Sequence, residues 1–103
     1  MKAVWMGVVA ASALLLVGAA QANQDLAKSS GCLACHTVDK KLVGPAYKDI
    51  AAKYKDDSGA AASLAEKVRK GTKDTWGPIP MPPNATVSDA NIKTLVKWIL
   101  SFK

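Results

Sequence analysis

The sequence predicts a small all-α domain of four helices, and three observations carry that expectation. Apolar residues recur at helical spacing in four separate stretches, whereas no segment alternates apolar and polar residues as a half-buried strand would. Residues that start and stop helices bracket these stretches. A block of prolines interrupts the chain once, between the third stretch and the fourth.

Ahead of the first helix, Met1-Lys2 gives a positive start, and Ala3 to Ala20 is apolar apart from Ser12. The run ends in Ala20-Gln21-Ala22, an A-x-A cleavage signal, before polar Asn23-Gln24-Asp25. Residues 1–22 therefore read as a secretory signal peptide that is removed from the mature protein. A run of about 18 apolar residues could also just span a bilayer as an uncleaved anchor. The A-x-A site and the lack of a basic stop-transfer flank favour cleavage, and so no stable membrane insertion afterwards. Cleavage leaves residues 23–103, one domain of 81 residues, near the size at which a protein core alone is marginal. The leader takes one positive charge, Lys2, from the formal net charge of +6, leaving +5.

The first helix is expected from about Gln24 to Cys35, with Asn23 or Gln24 at its start and Leu26, Ala27 and Leu33 inward. Asp25 in its first turn complements the helix dipole. The second follows Gly44-Pro45, with proline suited to the first helical position and Ala46, Ile50, Ala51 and Tyr54 at helical spacing. The third begins after Ser58, carries Ala61, Leu64, Ala65 and Val68, and stops at Gly71. The fourth opens with Ser88 as N-cap and Asp89 behind it. Ile92, Leu95, Val96, Ile99 and Phe102 then form one stripe, which Trp98 and Leu100 widen. Between the last two helices, Trp76-Gly77-Pro78-Ile79-Pro80-Met81-Pro82-Pro83-Asn84 excludes helix and central strand, since proline lacks a backbone donor. The same prolines leave this loop little conformational entropy to lose.

Chemistry is concentrated in Cys32-Leu33-Ala34-Cys35-His36, which reads C-x-x-C-H, the mark of covalent c-type haem attachment. Thiols three residues apart share one helical face and can add to two vinyl groups on one edge of a porphyrin. His36, four residues after Cys32, can offer a ring nitrogen to the iron from the same turn. A structural zinc site wants four ligands, and the chain has two cysteines and one histidine. A thioredoxin-like pair would accompany a βαβ pattern, which is missing. A Cys32–Cys35 disulfide would close a very small loop and constrain the unfolded chain little. A bonded haem would supply the apolar mass that so short a domain lacks.

The opposite side of such an iron is narrowed by elimination. His36 is the only histidine, so a bis-histidine haem within one chain is ruled out. Met1 and Met6 leave with the leader, making Met81 the only mature methionine. The sixth position falls to Met81, to a lysine, to water or to nothing. A stiff loop with one thioether at its centre suits a weak axial ligand, although a proline-rich turn could equally pack Met81 as ordinary core.

Four pieces, Gly31 through His36, Val43-Gly44-Pro45-Ala46-Tyr47, Trp76 through Asn84 and Trp98-Ile99-Leu100, together resemble the small class I bacterial cytochromes c of the c-551/c-552 group. Their order and spacing cover nearly all of residues 23–103. The resemblance implies an all-α monohaem class I cytochrome c fold, four helices wrapped around one covalently attached haem c. It implies thioether links at Cys32 and Cys35, with His36 and Met81 as axial iron ligands. It also implies that the Pro45 carbonyl accepts a hydrogen bond from the histidine, that Trp76 donates to a haem propionate, and that the Asn84 amide orients the methionine. Some relatives hold a propionate with an arginine at the position of Lys67, where lysine offers a point charge rather than a fork.

Such ligands point to electron transfer. Soft thioether sulfur favours ferrous iron, so a His/Met pair raises the reduction potential. Two strong-field ligands keep the iron six-coordinate in both oxidation states, which leaves no open position for catalysis. The expectation is a non-enzymatic, soluble electron shuttle of the periplasm, since haem attachment of this kind takes place outside the bacterial cytoplasm. Its partners would be redox proteins such as cytochrome bc-type complexes, terminal oxidases or nitrite reductase. Export removes nucleic acid as a partner for the basic charge, and a diffusing carrier is expected to be a monomer. Lys28, Lys40, Lys41, Lys67, Arg69, Lys70 and Lys73 could steer acidic partners or simply form a solvated surface, around an apolar rim of Leu33, Val43 and Ile79. A haem enzyme or gas sensor would need an open sixth site, and a disulfide-held binding module would carry no haem.

Overall fold

The structure, a computed structural model, describes residues 22–103. The cleavage reading of residues 1–22 thus falls, except for Ala22, outside the described residues. Residues 22–29 form α1, Cys32–Ala34 a single 3₁₀ turn, Tyr47–Tyr54 α2, Ala60–Lys70 α3 and Asp89–Leu100 α4. None of the described helices is long and apolar enough to cross a membrane.

The first helix ends earlier than its sequence suggests. Ser29 Oγ donates back to the Leu26 carbonyl at 3.1 Å, and the Ser30 N–H reaches the same oxygen at 2.9 Å. Gly31 then takes φ +84°, a left-handed conformation that glycine adopts without a Cβ penalty and that ends a helix. Cys32–Ala34 restarts as a 3₁₀ turn. The His36 N–H still bonds the Cys32 carbonyl at 3.0 Å, so the two cysteines and the histidine share one turn after all.

The second helix also differs at its start. Ala46, with extended φ/ψ, is the N-cap, which leaves Pro45 outside the helix rather than at its first position. The Pro45 carbonyl is therefore not an intrahelical acceptor. The end of α3 and the start of α4 agree with the sequence, whereas α1 already includes residue 22 and Phe102 lies beyond the last helical residue of α4, Leu100. Gly71 closes α3 at φ +82°, its N–H on the Lys67 carbonyl at 2.8 Å. Ser88 Oγ accepts from the Asn91 N–H at 3.2 Å and caps α4.

Packing centres on α4, which lies against both α2 and α3. Ile92 and Val96 of α4 meet Tyr47 and Ile50 of α2 and Leu64 and Ala65 of α3 in one buried cluster. Burying side chains of this size contributes about 1.5–3 kcal/mol each. Leu33 packs against this cluster rather than joining an exposed rim.

The proline-rich loop joins α3 to α4. At its base Thr72 and Met81 exchange both backbone hydrogen bonds, each 3.0 Å, as an isolated antiparallel bridge. Outside that bridge, Arg69 Nε and Nη2 both reach Asp89 Oδ1 at 2.8 Å, and its Nη1 pairs with Glu66. Twenty residues of chain are thus closed by one guanidinium.

Candidate haem site

The 3₁₀ turn and the proline-rich loop both border a cavity of about 230 Å³. Cys32, Cys35 and His36 line it together with Thr72, Trp76 and Met81. Ile50, Leu64, Val68, Leu95, Val96 and Ile99 supply apolar walls from α2, α3 and α4. Among the sequence-predicted site residues, Pro45 joins them in the lining and Asn84 does not.

His36 is held from three directions. Its Nδ1 lies 2.8 Å from the Pro45 carbonyl, so Nδ1–H donates there and the lone pair is left on Nε2. The ring stacks on Tyr47 with centroids 5.2 Å apart and planes 21° from parallel. On another side Gly44 approaches so closely that a Cβ would lie 2.5 Å from Cε1. Pro45, placed outside α2, is what makes the carbonyl available.

Tyr47 is the site residue that the sequence did not single out beyond its place in a matching segment. Only 1 % exposed, it carries Trp98 edge-on at 5.5 Å, and Phe102 stacks parallel to it at 6.4 Å. Burial above all, and then the neighbouring Cys32 thiol, hold its hydroxyl well above the ordinary phenol range. Burial likewise pushes the Cys32 thiol up, against a smaller lowering by the Tyr47 hydroxyl. A helical pattern marks Tyr47 as core, but nothing in one dimension reveals that it faces both His36 and Cys32.

Met81 reaches the cavity because its backbone is fixed on both sides. The bridge to Thr72 sets its register, and Asn84 braces the residues that follow it. Asn84 Nδ2 donates to the Val68 carbonyl at 3.0 Å and to the Pro82 carbonyl at 3.4 Å, while its own N–H also reaches Val68. The amide thus ties the Pro82 backbone, next in sequence to Met81, to the end of α3. Trp76, 39 % exposed, forms part of the cavity wall, and Lys67 also lines it while donating to Ser63 Oγ at 3.1 Å.

These residues fit a covalently bound haem. Both thiols are free of a disulfide and border the same apolar cavity as a histidine whose tautomer is already set. Among the described residues no three His, Cys, Asp or Glu side chains gather as a metal cage, so the zinc reading has no geometry to stand on.

Comparison with known proteins agrees with this geometry. Residues 20–103 match the Cytochrome c family. Cytochrome c-552 of Nitrosomonas europaea is 58 % identical over 103 residues, covering 100 % of both chains. Cytochrome c-551 of Pseudomonas aeruginosa is 52 % identical over 99 residues, 95 % of this chain and 94 % of that one. The crystal structure of wild-type Nitrosomonas europaea cytochrome c552 superposes with a TM-score of 0.76 at 57 % identity, covering 78 % of this chain and 99 % of the other. The likeness to class I c-551/c-552 cytochromes takes in every described residue through the family match, and the all-α architecture is theirs. The chain belongs to the cytochrome c family, electron-transfer proteins that carry a covalently attached haem c.

Proposed function

We propose that this cytochrome is a soluble periplasmic carrier of single electrons, its haem bonded through Cys32 and Cys35 and its iron held between His36 Nε2 and Met81 sulfur. One observation carries the ligand assignment. The Pro45 carbonyl takes the Nδ1 proton of the single histidine, so its free lone pair belongs to Nε2, and His36 and Met81 line the same cavity. The leader, residues 1–22, is removed on export, leaving 23–103 as the working domain.

When bound, the haem supplies the redox couple, gaining or losing one electron at iron. The protein does the rest. Pro45, Gly44 and Tyr47 fix the imidazole so that it need not reorient when the charge on iron changes. Thr72 and Asn84 hold the methionine loop in one register for the same reason. The apolar walls exclude water and, with a soft sulfur ligand, favour the ferrous state and a raised potential. With His36 and Met81 both holding the iron, a bound haem would keep no position open for a substrate.

The partners are redox proteins, and we assign them to respiratory complexes: cytochrome bc-type donors, terminal oxidases or nitrite reductase. Val43, Trp76 and the 59 %-exposed Ile79 border the cavity next to Lys41 and Lys67. A small apolar patch beside basic charge suits brief encounters at the low end of interface sizes. Arg69 and Lys70 are engaged with Glu66 and Asp89, which removes them from the set of free docking charges.

The deciding measurement is the ferric sulfur-to-iron absorption band in the far red. It is expected in the native protein and absent from Met81→Ala. Absence from the native protein, or carbon monoxide binding to native ferrous protein, would reject the ligand pair and point to a sensor or enzyme.

A further inference from the structure

The segment between the two halves of the Thr72–Met81 bridge brings Trp76 and Ile79 to the cavity wall, yet it is lightly tied. Among the described residues, 73–80 make no backbone–backbone and no side-chain hydrogen bond. Asp74 at φ +58° and Gly77 at φ +110° turn the chain sharply on either side of Trp76. Local geometry alone therefore does not fix where the indole goes.

One contact crosses to it from another element. Lys53, in the last turn of α2, places its Nζ 4.6 Å from the centroid of the Trp76 ring, against 5.8 Å from the ring of its neighbour Tyr54. Lys53 forms no salt bridge among the described residues. Its ammonium is thus committed to the negative face of an aromatic ring, an attraction set by the ring quadrupole. The C-terminal end of α2 also favours a cation there.

We infer that Lys53 is a positioning residue for the haem pocket: its ammonium holds Trp76 against the cavity and keeps that side electropositive. Ferric haem carries one more positive charge than ferrous haem. A cation held on a residue of the cavity wall disfavours the ferric state, so Lys53 raises the potential. Lysine is not interchangeable here with a neutral side chain of equal length, whereas arginine preserves the contact. Nothing in this role requires Met81 or His36 to be the iron ligands; it requires only that Trp76 lines the haem cavity.

The test compares holoprotein carrying Lys53→Gln with holoprotein carrying Lys53→Arg. Exchange of the Trp76 indole N–H is followed by nuclear magnetic resonance, with the Trp98 indole as internal reference. An exposed cation–π contact shifts an equilibrium roughly two- to five-fold. Lys53→Gln should speed Trp76 exchange by that factor, leave Trp98 unchanged and lower the midpoint potential, while Lys53→Arg should match the native protein in all three. Unchanged Trp76 exchange or an unchanged potential in Lys53→Gln overturns the assignment, as does failure of arginine to restore both. The far-red band recorded on the same samples reports the axial ligands separately, so loss of one reading is distinguishable from loss of the other.

Discussion

Gly44 lies against the imidazole of His36, with room for a hydrogen and none for a methyl group: a Cβ there would stand 2.5 Å from Cε1 and 2.9 Å from Nδ1 of the ring. The ring has no easy retreat, being bonded to Pro45 and stacked on Tyr47.

Gly44→Ala should therefore displace the imidazole and weaken its bond to the Pro45 carbonyl. We expect about 1–3 kcal/mol of destabilisation, the usual cost of overpacking, and a changed midpoint potential. Gly59→Ala is the control, since its Cβ would meet only Asp57 Oδ1 at an ordinary 3.4 Å. Denaturant titration and voltammetry on both variants check the contrast; equal behaviour would contradict it.

Gly71→Ala should be more damaging. At φ +82° a side chain is strained, and the added Cβ would lie 2.5 Å from the Met81 carbonyl and 3.0 Å from the Pro83 nitrogen, both backbone atoms. The strained conformation alone costs about 1–3 kcal/mol. Since the Met81 carbonyl is also the acceptor of the Thr72 bridge, a weakened far-red band is expected along with the lower melting temperature.

Ser88→Ala removes the side-chain acceptor of the Asn91 N–H at the start of α4. Loss of such a cap costs about 0.5–2 kcal/mol. Because α4 packs on both α2 and α3, the loss should appear in global unfolding by denaturant rather than as local fraying.

Glu66 gives a pH-dependent outcome. Lys70, through a hydrogen bond and its charge, and then Arg69 hold its carboxyl below the ordinary carboxylate range. A depressed folded value means the stabilisation is complete above the ordinary range and fades as pH falls through the folded value. The melting-temperature difference between native protein and Glu66→Gln should accordingly be constant near neutrality and shrink in acid. High salt should shrink it as well, because the pair is solvent-exposed.

Lys40→Glu with Lys41→Glu should slow reduction by an acidic redox partner at low ionic strength and converge with the native protein at high salt. Stopped-flow rates across an ionic-strength series decide it. Rates independent of salt in both proteins would show that these lysines do not steer docking.

The parts legible from sequence were those set by spacing or by strong local chemistry. Cys32, Cys35 and His36 come together because three and four residues close one turn, whether α or 3₁₀. The start of α4 at Ser88 and the end of α3 at Gly71 follow from capping chemistry that needs no tertiary help. What escaped was decided elsewhere in the molecule. An Ala-Lys-Ser-Ser run is compatible with continuing helix, and only the left-handed Gly31 shows that α1 stops short of the cysteines. Pro45 fits a first helical position by its ring geometry, but Ala46 takes the cap instead, and the spare carbonyl goes to His36. Tyr47 stood in the sequence only as part of a matching segment; its place in the core and beside His36 depends on which neighbours the fold brings to it. The Lys53–Trp76 contact joins residues twenty-three positions apart on elements that share no periodic pattern.

The ring sequence His36, Tyr47, Trp98, Phe102 runs from the heart of the molecule to the penultimate side chain. Anything grafted onto Lys103 would hang beside its outer member. An affinity handle at that end risks pulling on the imidazole through three stiff plates, so purification tags and electrode tethers belong on a lysine remote from this row.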